Sequence, residues 1–311
     1  MPGDVNRAVT LRELVLANLG LTLMIGFWGA FFPILERLLL SWDVYSITLA
    51  RQLVGTAVLY IGVLVERQRT PLPRLTSWWP ILILGGIGVT LGSLLTSLGV
   101  QYSSGLSSAI ISTTNPVGSA LAAAALYREP LARGLLFGTA LSVIGGLIAV
   151  LGGQSMAGAH FHGGEIMIVL ANVLWTWMSM AAQRWMRGYS QMQITCYTVA
   201  AGAFWLLLLF PLVAVSKIVP IQLDFSPLSL AMVAFAGAFP IAIGNFFWHY
   251  GVSRIGVVVS SMYNNLLPVA AVAVTVLMGG GFTLWQLLGA GVILVGVFTA
   301  QLLALRRSSR V

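Results

Sequence analysis

Long apolar runs separated by short polar stretches set the pattern of this chain. After about a dozen mixed residues, apolar runs cover Leu14 to Leu35, Val44 to Val65, Trp78 to Val100, Ser104 to Leu126 and Ala132 to Gly152. A second set covers Gly164 to Met186, Gln191 to Val215, Pro227 to Tyr250, Ile255 to Met278 and Thr283 to Leu305. Each run is near the ~20 residues that carry a helix across the hydrocarbon of a bilayer, so the pattern predicts ten transmembrane helices and no separate soluble domain. The first run exceeds the roughly 7 to 15 residues of a signal-peptide core, which predicts a retained span.

Composition sharpens the class. The 311 residues are 58% hydrophobic and 8% charged, against about 25% charged in an ordinary globular chain. The expected class is therefore an all-α integral membrane protein. The net charge of +8 would suggest nucleic acid in a soluble protein, but here the basic residues sit in short loops and report orientation instead. With the N-terminus in the cytoplasm, thirteen fall inside: Arg7, Arg12, Arg67, Arg69, Arg74, Arg128, Arg133, Arg184, Arg187, Arg254, Arg306, Arg307 and Arg310. Only Arg37 and Lys217 fall outside, and Arg51 lies within a span. The positive-inside rule then places both termini in the cytoplasm of a multi-pass inner-membrane protein.

The chain also echoes itself. GVQYSSGLSSAIISTTNP from Gly99 to Pro116 returns 152 residues later as GVSRIGVVVSSMYNNLLP from Gly251 to Pro268. At an offset of 147, Trp28 falls on Trp175, Arg37 on Arg184, Ile47 and Thr48 on Ile194 and Thr195, and Gly55 on Gly202. Spans one to four thus match spans six to nine, and the repeat unit is five helices, 1–155 and 156–311. Because five is odd, the second unit enters the membrane from the opposite side. Inverted repeats of this kind are a transporter feature, since two similar halves can exchange inward-like and outward-like conformations.

Short motifs add a resemblance. FWGAFFP from Phe27 to Pro33, LAR from Leu49 to Arg51, and TNP followed by YREPL from Tyr127 to Leu131 resemble the drug/metabolite transporter superfamily, in its EamA-type branch. That resemblance implies two inverted five-helix units over nearly the whole chain. Within the branch, the chain is most similar to bacterial exporters of aromatic amino acids. One departure is visible: Glu129 of the Arg-Glu-Pro turn aligns with Gly281, so the second unit lacks that loop feature.

Helical spacing nominates residues for the pathway. Ser108, Ser112, Asn115 and Ser119 recur at i, i+4, i+7 and i+11, within roughly 60° of arc. Asn172, Thr176, Ser179 and Gln183 repeat that spacing beside Trp175; Ser260, Ser261, Asn264 and Asn265 form a comparable face beside Tyr263; Asn245 and His249 add an i, i+4 pair. Polar faces inside lipid must meet each other or water. Ser and Thr also glue transmembrane helices together, as do the small-residue pairs Gly88 with Gly92 and Gly134 with Gly138. The mid-span amides are costlier to place, and transporter sites gather at that depth. Pro116 and Pro268 each remove a backbone hydrogen bond mid-span and are the expected hinges.

Trp42, Trp78, Trp79, Trp185 and Trp285 lie at span ends, where an interfacial belt accounts for them. Trp175 sits roughly 16 Å into its span and Trp28 is similarly deep, so both are candidate apolar walls for a solute, with core packing as the alternative. Arg51 lies roughly 10 Å below the outer end of the second span. It can hold a substrate carboxylate or snorkel outward to Asp43 or Glu36.

All eight acidic residues, Asp4, Glu13, Glu36, Asp43, Glu66, Glu129, Glu165 and Asp224, fall in loops or at span ends. Proton-coupled efflux of organic cations needs a buried carboxylate, so the expectation is uncoupled transport, with coupling through His249 as the alternative. Cys196 is the single cysteine and no helical His-Glu pattern surrounds His160, His162 or His249. No metal, cofactor or catalytic group is expected, and neither is an enzyme. The expected function is export of small amphipathic metabolites, chiefly aromatic or bulky apolar amino acids, by a monomer in the lipid bilayer. The substrate-binding set is Trp28, Arg51, Asn115, Asn172, Trp175, Ser179, Asn245, His249, Tyr263, Asn264 and Asn265. Other substrates (a nucleobase, drug or sugar nucleotide) are the nearest alternative, and a channel is the last.

Overall fold

A computed structural model describes residues 10–67, 78–116, 163–216 and 220–281, with scattered positions in 118–148 and 283–299. The described residues form helices and no strands. Helix α1 is Leu11–Leu38, α2 Val44–Arg67, α3 Trp79–Tyr102, α4 Gly105–Ile111, α5 Gly164–Trp185, α6 Gln191–Ser216, α7 Pro227–Ile255 and α8 Val257–Leu277. Seven of these, all but α4, are long and apolar enough to cross a membrane. Their bounds lie within a few residues of the expected spans. The expected spans at Ala132 to Gly152 and Thr283 to Leu305, and the YREPL motif, lie largely or wholly outside the described residues.

Local chemistry starts and stops these helices. Thr10 caps α1, its hydroxyl accepting from the Glu13 N–H while the Glu13 carboxylate accepts from the Thr10 N–H at 2.9 Å. Glu13 also pairs with Arg254 at 3.3 Å, tying the start of α1 to the end of α7. Between α7 and α8 the joint is Gly256, at φ +81°, a conformation that costs other residues dearly. Large apolar side chains such as Leu19, Leu23, Leu208 and Leu212 remain exposed, as a lipid-facing surface requires.

Two helices break their regular winding at related places. Leu84–Leu91 of α3 and Gly237–Gly244 of α7 are π-helical. Pro240 explains the second, because its ring cannot accept the regular i−4 contact; the first runs through Gly85, Gly86 and Gly88, which have no side chains to hold an α-helical register. Near these breaks, glycine lets backbones touch. A Cβ on Gly85 would lie 2.4 Å from the Ala201 side chain of α6, and one on Gly237 would lie 2.5 Å from Val54 of α2. The two prolines expected as hinges show a related device: the 3₁₀ turns Ser112–Thr114 and Tyr263–Leu266 each end two residues before a proline, Pro116 and Pro268. Tightening the turn draws the chain away from the carbonyl with which the proline ring would clash.

The interfacial tryptophans divide. Trp78 and Trp79 are 61% and 72% exposed, but Trp42 is buried and donates to the Ser229 hydroxyl at 3.1 Å. The belt therefore does not account for Trp42, which fixes the entry of α2 against α7.

Candidate functional site

Where α1, α2, α3, α5 and α7 meet the Ser112–Asn115 turn and the start of the second half of α8, they enclose a cavity of about 120 Å³. This is far above the ~10–15 Å³ that holds one water, so a small solute fits. Trp28, Phe31, Phe32, Trp175, Pro240, Ile241 and Leu267 supply apolar wall, and Arg51, Gln52, Ser93, Thr96, Asn115, Asn172 and Asn245 supply polar groups. Among the described residues that line it, Arg51 is the single charged one.

Arg51 points inward. It is 1% exposed, and one guanidinium nitrogen donates to the Ser93 carbonyl and to the Ser97 hydroxyl, both at 3.1 Å. The guanidinium lies 4.7 Å above the Phe31 ring, a cation–π contact. Its Nε has no protein partner, and no carboxylate of a described residue is within ion-pair distance. The snorkelling alternative is thus corrected. Asp43 is occupied by the N–H groups of Ser46 at 2.8 Å and Gln222 at 2.9 Å, and Glu36 by that of Gly105 at 3.0 Å. Both carboxylates are spent on loop and helix-start amides near their own backbones. Ser97 in turn bonds Thr48 at 2.8 Å, and Gln52 donates to the Ser93 hydroxyl at 2.9 Å, so α2 and α3 hold the cation in a defined place.

Opposite stands an aromatic cluster. Trp28 lies 5.7 Å from Trp175, edge to face, and 5.6 Å from Trp248. The Trp28 indole donates to the Pro240 carbonyl at 3.1 Å. Trp248 donates to the Ser179 hydroxyl at 2.7 Å, and that hydroxyl donates to the Trp175 carbonyl at 2.8 Å. His249 is buried behind Trp175 at 6.3 Å between rings. Buried polar atoms without a protein partner gather here: Asn115 Oδ1, Asn172 Nδ2 and Trp175 Nε1 on the cavity, and His249 Nδ1 behind it. A desolvated amide or indole left unbonded costs roughly 1–3 kcal/mol, which a solute or water in the cavity would relieve.

Six of the expected binding residues, Trp28, Arg51, Asn115, Asn172, Trp175 and Asn245, come together on this one cavity. Ser179 and His249 stand one layer behind it. Asn264 and Asn265 are buried in the 3₁₀ turn of α8, with amide atoms that have no protein partner, and do not line the cavity. Tyr263 is also outside it: its hydroxyl bonds Asn18 of α1. Most of the Ser and Thr stripe bonds within the protein; Ser112 donates to the Ser108 carbonyl at 2.9 Å and Ser119 meets Thr176 at 3.4 Å. Sequence reasoning missed Gln52, Ser93 and Thr96. The adjacent polar pair Arg51–Gln52 and the Ser93, Thr96, Ser97 spacing were the available signals.

Comparison with known proteins agrees with this architecture. The EamA-like transporter family matches residues 16–151 and again 162–301. The chain is 26% identical to the uncharacterized transporter YyaM of Bacillus subtilis (strain 168), over 71% of this chain and 72% of that protein. It is 28% identical to a probable terminal-alkyne amino-acid exporter of Streptantibioticus cattleyicolor, over 82% of each chain. A solved crystal structure shares the fold with a TM-score of 0.72 at 19% identity, covering 93% of this chain and 98% of its own.

Proposed function

The chain belongs to the EamA-like transporter family, a multi-pass membrane transporter and not an enzyme, and from that premise we propose that it exports amino acids with aromatic or bulky apolar side chains through the cavity at Arg51. The observation that carries this reading is a buried cation with a free Nε on a cavity that has tryptophan walls and, among the described residues, no lining carboxylate. Arg51 receives the substrate carboxylate in a paired, low-dielectric contact, the amides of Asn115, Asn172 and Asn245 receive its amino end, and Trp28 and Trp175 bound its side chain. The exporter named from Streptantibioticus cattleyicolor supports an amino-acid substrate.

Transport proceeds by alternating access between two inverted five-helix units, 1–155 and 156–311, with ten spans and both termini in the cytoplasm of the inner membrane. The double family match, the matched π-helical breaks and the thirteen-to-two distribution of basic residues support this. With no carboxylate among the described residues on the cavity, transport is uncoupled. Purified protein in liposomes is expected to move radiolabelled Phe or Trp without a pH gradient, and Arg51→Gln to lower that flux at least tenfold at comparable folded yield. Flux no greater than in empty liposomes would sink the substrate reading, and flux only with an imposed gradient would shift the mechanism to proton coupling through His249.

A further inference from the structure

The sequence register that places Gly251 on Gly99 also places Gly244 on Gly92 and Pro240 on Gly88, while the 147-residue register places Trp175 on Trp28. Each glycine sits at the end of a π-helical segment, so α3 and α7 offer the same backbone surface. On α7 that surface is filled. A Cβ on Gly244 would lie 2.8 Å from Trp28 Nε1 and 3.1 Å from its Cδ1, and the same indole N–H donates to the Pro240 carbonyl at 3.1 Å.

On α3 the equivalent indole is elsewhere. Gly88 is covered by Met178, whose Cγ would be 2.3 Å from a Cβ there, and Trp175 turns instead to Trp28, Trp248 and His249 with its Nε1 unbonded. Gly92 is buried, yet a Cβ there would meet nothing within 4 Å, because it faces the cavity. A buried glycine facing a void, beside a counterpart that an indole occupies, is a surface shaped for a flat ring.

We propose that Gly92 forms the floor of an aryl subsite, which takes the indole or phenyl side chain of the exported amino acid as Gly244 takes the indole of Trp28. This rests on the amino-acid reading above and deepens it. The next residue, Ser93, gives its carbonyl to Arg51, so ring floor and carboxylate site are adjacent on one turn of α3. An α-amino acid carries its ring and carboxylate at that kind of short separation, whereas an aryl solute without an acid would use the floor alone.

The test measures binding of radiolabelled tryptophan to the purified full chain, with unlabelled indole as competitor, for the wild type, Gly92→Ala and Gly92→Leu. The open space at Gly92 and its helical backbone (φ −59°) let both variants fold. Expected are a loss of tryptophan affinity of tenfold or more in Gly92→Leu, a smaller loss in Gly92→Ala, and indole competition in the wild type that Gly92→Leu abolishes. Tryptophan affinity within threefold of wild type in Gly92→Leu, or indole that fails to compete in the wild type, overturns the subsite while amino-acid transport stands. A wild-type protein that binds no tryptophan overturns both.

Discussion

Helices α3 and α7 have one shape and two uses. Both run α, then π, then α, and both press a glycine against a neighbouring helix, Gly85 on Ala201 and Gly237 on Val54. Past the break they diverge. On α7 the next turns carry Trp248, which packs against Trp28, and His249, which packs against Trp175; on α3 the same turns carry Ser93, Thr96 and Ser97, which leave a void and hold Arg51. In the 152-residue register Ser97 stands where α7 has His249. A shared backbone break fixes how closely the helices approach, and the side chains after it decide whether the result is core or cavity.

That contrast predicts its own failures. The largest effect is expected at the shared feature: Gly237→Leu forces atoms into a contact whose Cβ alone would sit 2.5 Å from Val54 and 2.7 Å from the Arg51 carbonyl. Overpacking costs about 1–3 kcal/mol or more, so folded yield and melting temperature in detergent should fall sharply. Gly92→Ala, facing the void, should hold or raise the melting temperature, since Ala is better than Gly in a helix by about 1 kcal/mol. Equal losses in the two variants would mean that α3 and α7 are packed alike. A middle effect is expected at Ser97→Ala. It leaves Arg51 with the Ser93 carbonyl and the Phe31 ring and removes the Thr48 hydroxyl's partner on α3, a loss of about 1–3 kcal/mol for a charge-assisted bond. The melting temperature should fall, and tryptophan flux should drop by less than in Arg51→Gln.

The smallest effect separates the helix starts. Ser226 caps α7, and Asp224 beside it accepts from the Ser226 N–H and hydroxyl, whereas α3 begins at Trp78 with no side-chain cap. Those bonds hold the Asp224 carboxyl below its ordinary value, the backbone N–H contributing most. A depressed folded pKa stabilises above the unfolded value of about 3.9 and loses that contribution as pH falls through the folded value. The difference in melting between wild type and Asp224→Asn should therefore be constant from pH 7 to 5 and shrink only below about 4. Its size is slight, because the group remains in contact with solvent. A difference that changes near neutral pH would assign it to another group.

Much of this was legible from residue order. Apolar run length gives the helices, since the bilayer sets their span. The deep placement of Trp28, Trp175 and the mid-span amides follows from position along a helix. Arg51 shows where residue order stops: its depth was readable, but its direction depended on Ser93 and Ser97 arriving from α3, and on backbone amides having already claimed Asp43 and Glu36. Asn264 and Tyr263 show the converse. Their face on α8 resembled that of Asn115 on its own helix, yet the cavity takes Asn115 and excludes them. Residue order is enough for the apolar runs, the mid-span prolines Pro116 and Pro268, and the family motifs; these depend on local sterics and on the match between apolar length and hydrocarbon. That Gly244 is covered while Gly92 is open is visible only in the packed helices, because the difference rests on which side chain another helix delivers to an otherwise equivalent backbone.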